Sequence, residues 1–418
     1  MMREAKSSGI AWIGTIPKCW ETDKLKYHLR RNEPRNPGDV VVLSLYRELG
    51  VIPKDSRDDN HNVTSEDTSK YKYVRPGDFV INKMKAWQGS VAVSEYEGIV
   101  SPAYFVYEFT DDTIFKRYFH YLLRSCYKDE FMRLSGGIRV GQWDLPADAL
   151  ENTPILIPPM DEQCRIADFL DTKCAEIDAL TADIQTQIDT LEQYKRSVIT
   201  ETVTKGLNPN AEMKDSGIQW IGNMPAHWDV VRGKYILHYM QKPVREDDGV
   251  ITCFRDGEVT LRSNRREEGF TMSDKEIGYQ GIDVGDLVVH GMDGFAGSIG
   301  ISDSRGKASP VLNVLDTDQC KRYIMYYLRS MAYSDVFLAL ATGIRVRSCD
   351  LRWNKLAELS YPVPPLDEQN AIVKHIDSVL SKAEAVIADK KAQLATLDEY
   401  KKSLIFEYVT GKKEVPVS

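Results

Sequence analysis

From Ile177 onward, apolar side chains recur every seventh residue, at Ile184, Leu191 and Val198, with Leu180 and Tyr194 on an interleaved set that Gln187 interrupts. A sustained seven-residue apolar period predicts a long amphipathic helix with a coiled-coil seam. The pattern returns 206 residues later at Ala383, Val386, Leu397, Tyr400 and Leu404, with Lys390 and Gln393 interrupting and Ile387 and Leu394 widening the stripe. Each run spans about 40 residues, roughly 60 Å at about 1.5 Å per residue. Neither helix can bury its stripe alone. An antiparallel pairing of the two is the most economical arrangement.

Outside these runs the texture is mixed. Short period-two stretches such as "DVVVLSL", "DFVIN" and "SVAVS" predict strands bounded by Gly, Pro, Asn and Asp turns, while "RYFHYLLRSCYKDEFMRL" has helical spacing. The mixture predicts an α+β domain of roughly 150 residues. Ahead of each long helix stands a Pro-Pro-x-Asp-Glu-Gln stretch, "IPPMDEQCRIADFLD" from Ile157 and "VPPLDEQNAIVKHID" from Val363. Pro159 cannot lie inside a helix, Asp161 is expected as the N-cap, and Glu162 would sit favourably against the helix dipole.

The chain is one module written twice. "SGIAWIGTIPKCWE" from Ser8 matches "SGIQWIGNMPAHWD" from Ser216, and "PGDFVINKMKAWQGSVAVS" from Pro76 matches "VGDLVVHGMDGFAGSIGIS" from Val284. "RYFHYLLRS" matches "RYIMYYLRS", "GIRV" occurs at Gly137 and Gly343, and the helices end in "EQYKRSVITETVT" and "DEYKKSLIFEYVT". The expected domains are 1–158 and 207–364, each followed by a spacer helix, at 159–206 and 365–412. Two large repeats imply pseudo-two-fold symmetry and not a solenoid.

With 418 residues, 42% hydrophobic and 28% charged, and a mean hydropathy of -0.37, the chain can bury real cores. No run could span a bilayer and the first residues lack a signal peptide's apolar stretch, so a cytoplasmic location and no membrane partner are expected. Seven cysteines form no C-x-x-C pair and no metal-ligand spacing. The net charge of -8 belongs entirely to the helices: residues 161–204 hold 10 acidic and 4 basic side chains, and residues 367–410 hold 8 and 6. The remainder is neutral, with local basic clusters such as "KLKYHLRR" from Lys24, so overall acidity is no objection to nucleic-acid binding.

Several clusters suit DNA contact. Arg139 and Gln142 in "GIRVGQWD", and Arg345 and Arg347 in "GIRVRSCD", carry the donor forks and amide that pair with guanine and adenine edges or hold phosphates. Salt bridges in a loop packed on the sheet are the alternative for these arginines. Lys83 and Lys85 beside Trp87 would suit a groove wall. Arg262, Arg265 and Arg266 occur only in the second domain and either clamp DNA or form a solvated charge run. Met84 and Met292, equivalent in the two modules, are expected in the core. Trp12, Trp20, Trp220 and Trp228, also equivalent, are expected to pack the scaffold and not to stack bases.

The doubled Trp openings, the Gly-Asp and Ser-Pro blocks, the Pro-Pro-(Met/Leu)-Asp-Glu-Gln helix starts and the "YK-(R/K)-S" tails together resemble the specificity subunit of type I restriction-modification systems, across essentially the whole chain. The resemblance implies two target-recognition domains reading one half each of a split double-stranded DNA sequence. It also implies long helices that separate them and dock methyltransferase subunits, through which restriction subunits join the complex. Pseudo-symmetry suggests two methyltransferase subunits per chain. Ile177, Leu180, Ile184, Leu191, Tyr194, Val386, Leu397, Tyr400 and Leu404 are the candidate seam and docking residues. No catalysis and no cofactor are expected, since the sequence has no Asn-Pro-Pro-Tyr or Asp-Pro-Pro-Tyr motif, no S-adenosylmethionine loop and no phosphate loop. A stand-alone methyltransferase or nuclease, or a structural coiled-coil adaptor, is the competing expectation. The segments before the two Gly-Asp blocks share little, so the two half-sequences should differ.

Overall fold

In a computed structural model of the chain, which describes residues 3–38, 40–46, 49–56, 64, 67–137, 143–265, 277–340 and 351–416, period-two alternation builds a double-sided sheet in each module. In the first, antiparallel strands Leu29–Arg31, Tyr104–Phe109, Phe79–Asn82 and Val91–Val93 lie side by side in that order. Successive side chains point to opposite faces. Phe79, Ile81, Val91, Phe105 and Tyr107 therefore enter the main core with Tyr118, Phe119, Leu122 and Leu123 of the helix Lys116–Cys126. Val80, Ala92 and Val106 enter a second, smaller core with Leu43, Leu45, Val51, Val74 and Val100.

The second module repeats this plan with His238–Met240, Leu312–Asp316, Leu287–His290 and Ile299–Ile301. Leu287, Val289, Ile299 and Leu315 face the helix Lys321–Tyr333, while Val288 and Val314 face Ile251, Cys253, Val259 and Ile282.

The chain forms two compact units, one of residues Met1–Ile184 with Ala392–Ser418 and one of Gln185–Lys391. Each unit thus takes half of a central helix, Met160–Lys205, and half of a distal helix, Leu366–Val409. Within the first unit the two are antiparallel: Phe169 stacks near Tyr408 at 4.5 Å between centroids, and Asp178 pairs with Lys401 at 2.6 Å. Within the second, Gln187 bonds Lys390 and Lys195 pairs with Glu384 at 3.3 Å.

The seam departs from the sequence expectation in one respect. Ile177, Ile184 and Leu404 are buried and Leu191 and Leu397 half-buried, but Leu180, Tyr194, Val386 and Tyr400 are 47%, 51%, 45% and 53% exposed. The interleaved set lies one residue further on, through Ile188 and Lys195 on the central helix and Ile387, Leu394 and Lys401 on the distal one, while Lys390 continues the set of Ala383 and Leu397. Three of these positions are lysines with polar partners, which look like surface in a sequence yet occupy the seam. Polar residues at such places cost stability and fix register.

The helix starts are anchored rather than merely capped. The carbonyl of Pro159 accepts the amides of Glu162 and Gln163, so the helix begins at Met160, and Asp161 is in its exposed first turn paired with Arg165 at 3.2 Å instead of at the N-cap. Glu162 is buried and accepts from Trp20 Nε1 at 3.0 Å as well as from Arg3. Gln163, also buried, accepts from the Phe115 amide at 2.8 Å and donates to the Thr113 and Pro158 carbonyls at 2.8 and 2.9 Å. Gln369 does the same work in the second unit, accepting from Cys320 N and donating to Pro364 O and Gln319 Oε1.

The helix ends match as well. The Tyr118 hydroxyl donates to Val409 O at 2.9 Å, and the Tyr323 hydroxyl reaches Val203 O at 3.0 Å, satisfying last-turn carbonyls that have no partner inside a helix. Gly206 and Gly411 follow at φ +72 and +69, the left-handed conformation in which a helix commonly stops. Trp20 and Trp228 are fully buried at these junctions, Trp12 packs edge-on against Tyr127, and Trp220 donates to the Tyr327 hydroxyl. All four serve the scaffold.

Candidate nucleic-acid interface

The strand Phe79–Asn82 leaves the middle of its sheet through a tight turn, and that turn carries the first domain's best-placed candidates. Asn82 Oδ1 accepts the Met84 amide at 3.1 Å, and the Lys83 carbonyl accepts the Leu145 amide at 3.0 Å. Lys83 Nζ pairs with Asp144 at 2.9 Å, and Trp87 packs edge-on against Trp143 at 5.5 Å. The structure therefore brings Lys83 and Trp87 against Asp144 and Trp143, residues far along the sequence from them. Lys85 is exposed beside them. Met84 is exposed too, at 43%, and Met292 at 49%, so neither fills the core. Their equivalence reflects a shared place on the surface.

Two further cations, neither assigned to this cluster by the sequence, join it. Arg31 lies 4.5 Å and Lys72 5.4 Å from the centroid of the Phe105 ring, with Lys83 at 5.9 Å. Glu33 bridges Arg31 at 2.8 Å and Lys72 at 2.9 Å. Burial alone would raise the Glu33 carboxyl, but the hydrogen bonds from Arg31 and Lys72 hold it below its ordinary value; burial in turn lowers Lys72. Arg31 lay within a visible basic stretch, whereas Lys72 reaches the ring only because its strand, Lys72–Val74, passes beside it.

The second domain builds the same turn from different chemistry. His290 replaces Asn82, and its Nδ1 accepts the Met292 and Asp293 amides at 3.2 and 2.9 Å. Burial lowers the His290 pKa, favouring the neutral ring that such acceptance requires. Gly291 stands for Lys83 and accepts the Leu351 amide at 2.8 Å through its carbonyl, and Asp293 stands for Lys85 and pairs with Arg255 at 3.2 Å. Arg262 and Arg265 follow the hairpin of Ile251–Cys253 and Val259–Leu261. Arg262 Nε reaches Thr252 Oγ1 at 3.3 Å, and Arg265 pairs with Asp256 and Glu258 at 2.7 and 3.0 Å over the Phe254 ring. Arg139, Gln142, Arg266, Arg345 and Arg347 lie outside the described residues. Among the described residues no group of three or more His, Cys, Asp or Glu side chains could hold a metal, and no helix is long and apolar enough to cross a membrane.

Residues 28–190, which include the first sheet, its turn and about two thirds of the central helix, match the type I restriction modification DNA specificity domain. Over 96% of this chain and 94% of its own length, the MjaVIII type I restriction enzyme specificity subunit of Methanocaldococcus jannaschii is 23% identical. The chain is similar over nearly its whole length to type I restriction enzyme specificity subunits. The fold agrees: the HsdS subunit from Thermoanaerobacter tengcongensis superposes with a TM-score of 0.51 at 16% identity, over 95% of this chain and 98% of that one. A chain from a structure describing complex assembly and conformational transition of the type I R-M system superposes with a TM-score of 0.69 at 15% identity, over 95% and 99%. These relatives are specificity subunits, and the matched domain is a DNA specificity domain, which favours the specificity-subunit expectation over a stand-alone enzyme.

Proposed function

We propose that this chain is the specificity subunit of a type I restriction-modification complex and reads a bipartite, asymmetric DNA target, with domain 1–158 reading one half and domain 207–364 the other. The helices at 159–206 and 365–412 fix the gap and dock methyltransferase subunits, two per chain, and restriction subunits join through that complex. One observation carries the reading: the two domains share a sheet, a core and a turn, yet the side chains at that turn differ in charge, Lys83 and Lys85 against Gly291 and Asp293. Shared framework with divergent surface chemistry is what two readers of different sequences require, because position is set by backbone contacts and sequence by a few side chains.

In the first domain Lys83, Lys85, Arg139 and Gln142 are the contacts we assign to DNA, and in the second Arg262, Arg265, Arg266, Arg345 and Arg347. The exposed Leu180, Tyr194, Val386 and Tyr400 are assigned to the methyltransferase subunits. They form two pairs at the 206-residue offset, Leu180 with Val386 and Tyr194 with Tyr400, and solvent-facing tyrosines kept at both places suit one partner docked twice. Co-expressing the chain with a partner methyltransferase subunit and mapping modified bases tests the reading. A split motif with two unlike halves, present only with this chain, is expected; a palindrome or no chain-dependent motif would overturn it.

A further inference from the structure

We propose that Met84 and Met292 make an apolar contact common to both half-sites, while the residues beside them on the same turn supply what differs; this rests on the DNA-reading function proposed above. Both methionines sit two residues beyond the strand end, at the same place in each domain, and both are nearly half exposed. Nothing in either core calls for them. Their presentation is nevertheless fixed, since each backbone amide is held by the side chain two residues earlier, Asn82 Oδ1 at 3.1 Å and His290 Nδ1 at 3.2 Å. The turn is tied a second time through its next carbonyl, by the Leu145 and Leu351 amides.

Around this fixed methionine the chemistry diverges: Lys83 becomes Gly291, Lys85 becomes Asp293 and Trp87 becomes Phe295. A side chain kept in two readers of unlike sequences touches something that the two half-sites share. The flanking Lys83 and Lys85 place the first turn where phosphates would be attracted, and a flexible, polarisable thioether can pack on a thymine methyl, a sugar edge or an opened base step. Duplex DNA is therefore the occupant we assign. Since each methionine is exposed, its truncation leaves the fold intact.

The test uses the full chain in complex with its methyltransferase subunits and a duplex carrying the mapped motif, with affinity followed by fluorescence anisotropy across a salt titration. Met84→Ala and Met292→Ala should each weaken binding by roughly three- to tenfold, the effect of losing the exposed half of one apolar side chain that DNA would cover. The slope of log affinity against log salt and the methylated motif should both stay unchanged, and Met84→Leu should retain the parent affinity. Lys85→Gln, by contrast, should flatten the slope by about 0.9, the signature of one lost phosphate contact. Affinity within twofold of the parent for both alanine variants would overturn the inference. So would a loss traced to weakened assembly with the methyltransferase subunit, which would make the methionines protein contacts. Failure to map any motif would remove the DNA-reading function as well, whereas a mapped motif with indifferent methionines removes this inference alone.

Discussion

Replacing Gln163 by Leu keeps the volume of the side chain and deletes its three hydrogen bonds. The Phe115 amide and the Thr113 and Pro158 carbonyls would then lose their partner at a largely buried junction. Stranding a buried polar group costs about 1–3 kcal/mol, and two of these three are only part-buried, so a loss of about 3 kcal/mol is expected. For a unit of this size each kcal/mol moves the midpoint by about 2–4 °C, giving a fall of roughly 6–12 °C by scanning calorimetry of the full chain. Gln369→Leu, which strands Cys320 N and Pro364 O, should produce a similar fall. Gln163→Glu should be no better than Leu, because a carboxylate would face two carbonyls it cannot bond. A midpoint lowered by less than about 2 °C in both Leu variants would refute the view that the Pro-Pro-x-Asp-Glu-Gln stretch is an anchor.

Three further outcomes are expected. Tyr118→Phe and Tyr323→Phe should each cost about 1 kcal/mol in urea unfolding, since each removes one donated hydrogen bond, the single Tyr323 proton being shared between Val203 O and Pro362 O. Lys401→Leu should raise thermal stability while weakening the antiparallel register, seen as cysteine crosslinks at pairs other than the native one; unchanged crosslinking would argue against a register role for that lysine. Asp283, held by hydrogen bonds from Arg305 and Lys242, has its pKa lowered to about 2. A depressed carboxylate contributes stability that is fully present above its ordinary value near 4 and is lost as pH falls toward about 2, so Lys242→Met should flatten the acid unfolding profile in that window.

Much of the architecture is legible in the sequence because it is written twice. The offset of the Trp openings and helix starts gives the module, and period-two stretches give the sheet strands. What misled was polarity at single positions. Leu180 and Tyr194 look like seam and are exposed, while Lys195 and Lys401 look like surface and lie in the seam, since a lysine stem can pack while its ammonium finds Glu384 or Asp178. Met84 and Met292 were expected in the core because a repeated apolar residue signals constraint, and constraint is not burial. The work of Gln163 was invisible for another reason: its partners, Thr113 and Phe115, are some fifty residues away and meet it only after folding. Lys72 joins Arg31 at Phe105 in the same way. Base preference has no spacing rule at all, since it depends on loop geometry and on DNA deformation.

The most direct test of the central claim is to lengthen both helices together and remap the methylated motif. Inserting one heptad between Ile184 and Leu191 and another between Ile387 and Leu394 preserves the seam and adds about 10 Å at about 1.5 Å per residue, or about three base pairs at roughly 3.4 Å each. Both half-sequences should remain as they were and the gap between them should grow by about three. Altered half-sequences with an unchanged gap would contradict the account.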